Sequence, residues 1–194
     1  MERRNVPIRY YSSVAAHKVD WLWYPYVPFG KITIIQGDPG DGKTTLVLNI
    51  AALLSNGTPM PESEVEISSV KTIYQSVEDT LKPRLVSAGA DCTRIAFIDE
   101  SESGLTLNDH RIEDAIIETG ARLVVLDPLQ AYLGENSEMN RADGVRPLMR
   151  QLTAMAERTG CAIIVIGHMN KASGSKSIYR GLGSIDIIAA ARSV

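Results

Sequence analysis

The chain has 194 residues, of which 44% are hydrophobic and 22% charged, the composition of an ordinary soluble globular protein. This length suits one α/β domain with a sizeable core and is too short for two. The formal net charge of −3 gives no general attraction to polyanions, so contact with nucleic acid would require a local basic patch. No apolar segment approaches the roughly 18 residues of a membrane span, and no secretory leader is visible. We therefore expect a cytoplasmic protein without membrane association.

Residues 1–30 form a lead-in that is rich in aromatic residues and proline. Its clustered aromatic residues are Trp21, Trp23, Tyr24, Tyr26 and Phe29. The interspersed prolines favour an extended segment that packs on the edge of the core. The alternative is a functional role, either stacking on adenine or contact with another subunit.

From residue 31 to residue 194, apolar runs alternate with amphipathic segments. The predicted strands are 31–36, 70–76, 94–98, 122–126 and 161–166. The predicted helices are 43–55, 80–88, 107–119 and 141–159. This alternation predicts an α/β fold, a mostly parallel sheet covered by helices on both faces.

The segment that follows the first strand has the pattern of a phosphate-binding loop, or P-loop. We assign nucleotide binding to Gly37, Asp38, Pro39, Gly40, Asp41, Gly42, Lys43, Thr44 and Thr45. Glycines let backbone N–H groups surround phosphates, Lys43 is expected to reach the β- and γ-phosphates, and the Thr44 hydroxyl to bind Mg²⁺. The N-terminus of the following helix favours an anion. ATP and Mg²⁺ are the predicted ligands, and the alternative is an ordinary glycine turn beside a lysine.

Two strands end in carboxylates. The apolar run 122–126 leads into Asp127, the position typical of a Walker B aspartate that supports the Mg²⁺ shell. The alternative is that Asp127 is a surface residue at the start of a turn. The strand ending at residue 76 is followed by Glu78, which would lie one strand from Asp127 and is our candidate base for the attacking water. Alternatively, Glu78 is a charge at the helix N-terminus, and we expect Asp79 to cap that helix.

The last predicted strand brings His168 to the same edge, where it is a candidate sensor of the γ-phosphate or a structural histidine. The segment 170–180 carries Lys171, Lys176 and Arg180 among glycine and serine. This composition suits either a mobile loop that contacts single-stranded DNA or a plain solvated loop.

With these residues assembled, the chain resembles RecA-like ATPases, specifically the hexameric replicative helicases of the plasmid RepA and DnaB type. It is most similar to the phage- and plasmid-borne RepA-like branch. The motifs that carry this resemblance are WLW at 21–23, PFGK at 28–31, GDPGDGKTT at 37–45, SVED at 76–79, LDPLQAYLG at 126–134, GHMNK at 167–171 and RGLGSIDIIAAARSV at 180–194. They extend over nearly the whole chain.

The resemblance implies a catalytic glutamate at Glu78, Walker B at Asp127 and a sensor at His168. It also implies a channel-facing loop at 171–180 and an arginine finger that reaches a neighbouring subunit's ATP, for which Arg192 fits; spacing alone does not separate Arg192 from a surface arginine. Family members continue beyond the position of Val194, so the resemblance implies a RecA-like core truncated at its C-terminus, in which the last strands are missing.

We therefore predict a Mg²⁺-dependent ATPase that couples hydrolysis to DNA binding and translocation. The predicted form is a hexameric, replicative-helicase-type motor of a mobile element. One alternative is a RecA-like recombination or regulatory ATPase that uses ATP as an assembly switch. Another is a small-molecule kinase, which usually needs an arginine-rich lid, and no such segment is evident between Asp127 and Asn170.

Overall fold

The computed structural model describes residues 7–15, 18–63, 67–134 and 142–168, with only the backbone at 142–144 and 168. The strands in these ranges are β1 (Trp21–Trp23), β2 (Val27–Pro28), β3 (Ile32–Gly37), β4 (Thr72–Ser76), β5 (Ile95–Ala96), β6 (Leu123–Asp127) and β7 (Ala162–His168). The helices are α1 (Lys43–Asn56), α2 (Leu81–Ser87), α3 (His110–Thr119) and α4 (Ala142–Thr159). None of these helices is long and apolar enough to cross a membrane.

Within the described ranges, five strands form one parallel sheet in the order β3-β7-β6-β4-β5, which confirms the predicted α/β architecture. β7 lies between β3 and β6, so the strand that leads into the P-loop is not adjacent to the strand that ends at Asp127. The strands of this sheet all run in one direction, and their carboxyl ends therefore meet at a single edge, where α/β sheets bind ligands.

Both faces of the sheet are buried. Neighbouring side chains along a strand point to opposite faces, so consecutive buried residues of β6 show what covers each face. On one face, Val124 and Leu126 pack in a cluster that includes residues of α3 and α4. On the other face, Leu123 and Val125 pack with residues of α1 and Leu85 of α2. This alternation places the next position, Asp127, on the α1 side of the sheet.

The N-terminal aromatic segment forms an antiparallel hairpin of β1 and β2. Leu22 and Val27 are buried in the same cluster as α1, and the Trp23 Nε1 donates a hydrogen bond to the Pro61 carbonyl at 3.0 Å. Tyr24 and Tyr26 remain exposed. The hairpin thus adds apolar side chains to the α1 side of the core.

The edge strand β5 is shorter than the predicted strand 94–98. It ends at Ala96, and Phe97 is 73% exposed. The Gln75 side chain replaces the backbone ladder at Ile98: the Ile98 N–H donates to Gln75 Oε1 at 2.9 Å, and Gln75 Nε2 donates to the Ile98 carbonyl at 3.0 Å. A side-chain amide therefore holds the chain where the strand was expected to continue.

Two helices begin later than predicted. α3 begins at His110 because Asp109 is its N-cap and accepts the Arg111 N–H at 2.9 Å. α2 begins at Leu81, with Thr80 in the N-cap position and no side chain capping it. The predicted capping of α2 by Asp79 is therefore wrong, because the later start leaves Asp79 one position outside the cap.

Candidate nucleotide-binding site

The carboxyl edge of the sheet brings together the ends of four neighbouring strands. Backbone register pairs Gly37 with His168 and Ser76 with Asp127. The P-loop after β3, the Asp127 carboxylate and the segment that carries Glu78 consequently share one edge. For His168 only the backbone is described, at the end of β7, so its predicted sensor role stays a prediction.

The Lys43 side chain is held inside the P-loop. Its ammonium donates to the Gly37 carbonyl at 2.9 Å and to the Asp38 carbonyl at 2.7 Å. Lys43 is only 7% exposed, and lysine is almost never so buried unless its charge is compensated. The loop therefore positions a desolvated cation beside the N-terminus of α1.

The loop conformation depends on glycine at particular positions. Gly40 and Gly42 have φ angles of +93° and +82°, which side-chain-bearing residues adopt at a cost. A Cβ on Gly37 would lie 2.6 Å from Asp41 Oδ2, the atom that accepts the Asp38 N–H at 2.7 Å. The Asp41 carboxylate thus folds back on the start of the loop, and a side chain at residue 37 would displace it.

The N-terminus of α1 is available to an anion. Its N-cap, Gly42, has no side chain that could cap the helix, and the first N–H groups of a helix have no intrahelical partner. Thr44 and Thr45 occupy the first turn, with Thr44 half-buried. Unpaired N–H groups, the helix dipole and the Lys43 ammonium together favour a phosphate group here.

Asp127 is a buried carboxylate, only 3% exposed, at the end of β6. The Tyr74 hydroxyl donates to Asp127 Oδ2 at 3.2 Å from the neighbouring strand. Burial, and secondly the charge of Asp127, raise the pKa of Tyr74 far above its ordinary value. Tyr74 therefore stays a neutral donor that orients the carboxylate. A carboxylate and the Thr44 hydroxyl are oxygen ligands of the type that Mg²⁺ prefers, so these residues fit the predicted ion.

Glu78 lies just beyond β4 and is bound by a residue of α2. Arg84 forms an ion pair with it, with Nη1 2.5 Å from Glu78 Oε2. The other terminal nitrogen of Arg84 donates to the Thr45 hydroxyl at 3.3 Å. One guanidinium thus connects the candidate base to the first turn of the P-loop helix.

A second layer of polar groups lies on the opposite face of β4. Glu100 accepts a hydrogen bond from the Gln75 amide and another, at 2.8 Å, from the Leu105 N–H. The Tyr132 hydroxyl is buried and has no hydrogen-bond partner within the described part of the chain. Burial is the main cause that raises the pKa of Tyr132, followed by the charges of Glu100 and Asp127.

Several predicted residues lie outside the described residues. They are Lys171, Lys176, Arg180 and Arg192. Their assignment to DNA contact and to an arginine finger stays a prediction.

Sequence reasoning missed Tyr74 and Arg84. The position of Tyr74 becomes informative only once strand pairing is known: it lies two positions before Ser76, on the same face of β4, and Ser76 pairs with Asp127. A long side chain reaches such diagonal neighbours across adjacent strands. No local spacing predicted the contact of Arg84 with Glu78, which depends on how α2 packs against α1.

Comparison with known proteins identifies the family. A family described as an AAA domain matches residues 2–174. The chain is 31% identical over 147 residues to a DNA repair protein RadA from Bacillus subtilis. It is 29% identical over 147 residues to a DNA repair protein RadA from Halalkalibacterium halodurans. Each alignment covers 73% of this chain and 28% of the relative. It is 24% identical over 156 residues to the protein RecA of Aquifex pyrophilus, covering 76% of this chain and 42% of that protein. The chain thus spans less than half the length of these relatives. It belongs to the AAA domain family and has a RecA-like P-loop fold.

Proposed function

We propose that the chain hydrolyses ATP with Mg²⁺ and couples this reaction to DNA. The observation that carries the proposal is the buried Lys43 ammonium, held by two loop carbonyls at 2.9 and 2.7 Å beside the open N-terminus of α1. These carbonyls are weak partners that the more negative oxygens of a triphosphate replace. The names of the RadA relatives, which are DNA repair proteins, support DNA as the partner.

In the proposed reaction, Lys43 and the amides of the loop bind the β- and γ-phosphates. Thr44 and Asp127 would hold Mg²⁺, and the Tyr74 hydroxyl keeps the Asp127 carboxylate in one orientation. When bound, the ion offsets the negative charge of the phosphate oxygens. The remaining catalytic work falls to side chains that position water and the γ-phosphate.

Glu78 accepts a proton from the attacking water as general base. Arg84 holds the Glu78 carboxylate and, through Thr45, ties it to the helix that carries the P-loop. His168 senses the γ-phosphate, and Arg192 of an adjacent subunit stabilises charge on the transferred phosphoryl group. The reaction would then be completed only between subunits, as in a hexamer.

We propose that ATP hydrolysis drives translocation on single-stranded DNA. The protein would then be a replicative-helicase-type motor of a mobile element. Lys171, Lys176 and Arg180 are the proposed DNA contacts, because clustered cations among small residues follow a phosphate backbone. The resemblance to RepA- and DnaB-type helicases supports this form of the proposal.

The second candidate is a RecA-like recombination or regulatory ATPase that uses ATP as an assembly switch. The likeness to proteins named RadA and RecA favours it. Forked and plain single-stranded substrates separate the two candidates. Unwinding of the fork with ATP supports the motor, whereas DNA-stimulated turnover and ATP-dependent assembly without unwinding support the switch.

The nucleotide site itself is tested with Lys43→Ala and a fluorescent ATP analogue. We expect binding to be abolished, since the main cation of the loop is lost. Lys31→Ala is the matched control. Lys31 precedes β3, the strand that leads into the P-loop, at the amino edge of the sheet, and it pairs with Glu157 at 2.5 Å. Retained binding in Lys43→Ala would refute the assigned role of the lysine, and lost binding in Lys31→Ala would point to misfolding.

A further inference from the structure

The edge of the sheet opposite the P-loop carries a row of cations. Arg122 immediately precedes β6, Lys71 precedes β4 and Arg94 precedes β5. The three strands are neighbours, and their first residues are paired in register through Thr72. Since adjacent strands lie about 4.8 Å apart, the three positive residues form a continuous row across the amino edge.

The charge of this row is poorly compensated. All three cations line one open cavity of about 690 Å³, and no Asp or Glu is among its described lining residues. In the described part of the chain, no carboxylate forms an ion pair with Lys71 or Arg122, and Asp91 lies a long 3.7 Å from Arg94 Nε. Like charges at neighbouring register positions repel one another. The row is therefore stabilised by any anion that binds across it.

Aromatic and hydroxyl groups complete the cavity. The Arg122 guanidinium carbon lies 4.2 Å from the centroid of the Phe29 ring, a cation–π contact that holds the charge in place. Trp21 also lines the cavity, as do Ser68 and Ser69. Cations beside aromatic rings are the combination that binds phosphates and bases of single strands.

We propose that the row of Arg122, Lys71 and Arg94 binds the phosphates of a single-stranded nucleic acid. An open cavity with three cations spread over neighbouring strands suits successive phosphates along a chain better than one isolated phosphate. The row lies at the opposite edge from the P-loop, so the proposal requires neither the nucleotide site nor the assigned role of residues 171–180.

The test is fluorescence anisotropy with labelled oligothymidylate on the complete chain, comparing wild type with the double variant Lys71→Ala/Arg122→Gln. We expect binding roughly tenfold weaker. Each phosphate contact contributes about 0.7 to the slope of log affinity against log salt, so the slope should decrease by about 1.4 between about 50 and 200 mM salt. Lys31→Ala is the matched control, because its cation at the same edge is already neutralised by Glu157.

Turnover of ATP without DNA is measured on the same samples and should be unchanged in the double variant, which shows that the fold is intact. Equal affinity and salt slope in wild type and double variant would overturn the proposal. It is also overturned if oligothymidylate binding is unchanged while inorganic phosphate quenches tryptophan fluorescence in a Lys71-dependent way, since the ligand is then a small phosphate compound. A third outcome is that oligothymidylate binding depends on the row but DNA does not stimulate ATP turnover. That outcome supports the row as a binding site and contradicts only the proposed function.

Discussion

Arg84 Nη1 lies 2.5 Å from the Glu78 carboxylate, and Nη2 of the same guanidinium lies 3.3 Å from the Thr45 hydroxyl. One side chain of α2 thus joins the segment after β4 to the first turn of α1. Both members of the ion pair are partly exposed, and such pairs contribute only about 0–1 kcal/mol to stability. The geometric constraint on Glu78 is therefore the more important consequence of this contact.

We expect Arg84→Ala to lower kcat by roughly tenfold while KM for ATP changes little, because a small displacement of a catalytic group is costly even when binding persists. Arg84→Lys keeps the charge but not the two-pronged geometry, and should recover part of the activity. Steady-state kinetics over a range of ATP concentrations measure both constants. A rise in KM with unchanged kcat would instead assign Arg84 to ground-state binding.

Glu78→Gln should retain ATP binding and reduce turnover by about 10²–10⁴-fold, the usual contribution of a general base. Asp79→Asn is the matched control, since Asp79 is an adjacent exposed carboxylate that neither caps α2 nor pairs with Arg84. Nucleotide affinity by equilibrium titration and turnover by phosphate release are measured on both variants. Normal turnover in Glu78→Gln would remove it from the mechanism.

The sequence was sufficient to predict the alternation of strands and helices and the position of Asp127, because buried parallel strands are continuous apolar runs. It was insufficient where side chains replace backbone contacts. Gln75 ends β5 early by bonding to Ile98, and Asp109 shortens α3 by capping it. The partners of Glu78 and Asp127 were also missed, because they depend on strand order and helix packing and not on local spacing.

Tyr74→Phe tests how Asp127 is oriented. Removing the hydroxyl that donates to Asp127 should lower the free energy of unfolding by about 1 kcal/mol. It should also raise the Mg²⁺ concentration for half-maximal turnover by about tenfold, since partners of metal ligands tune metal affinity. Tyr132→Phe is the matched control, because within the described residues its hydroxyl has no hydrogen-bond partner. An equal Mg²⁺ requirement in both variants would refute the orienting role of Tyr74.

Within the described residues, one buried thiol and two buried tyrosine hydroxyls make the free energy of unfolding depend on alkaline pH. Burial raises the pKa of the Cys161 thiol to about 12, and it raises the pKa of Tyr74 and Tyr132 as well. In the unfolded chain a thiol loses its proton near pH 8.5 and a tyrosine near about pH 10. Above these values the unfolded state binds fewer protons than the folded state, so the free energy of unfolding falls as pH rises.

The expected decrease begins near about pH 8.5 with a slope of about 1.4 kcal/mol per pH unit from Cys161, and it steepens above about pH 10 as the tyrosines contribute. Urea unfolding between pH 7 and about pH 11 measures it. Cys161→Ala should delay the onset to about pH 10, because the thiol then no longer titrates and only the tyrosines remain. An onset that is the same in wild type and Cys161→Ala would mean that the thiol is not protected by burial, and hence that the α4–β7 connection opens to solvent in the folded protein.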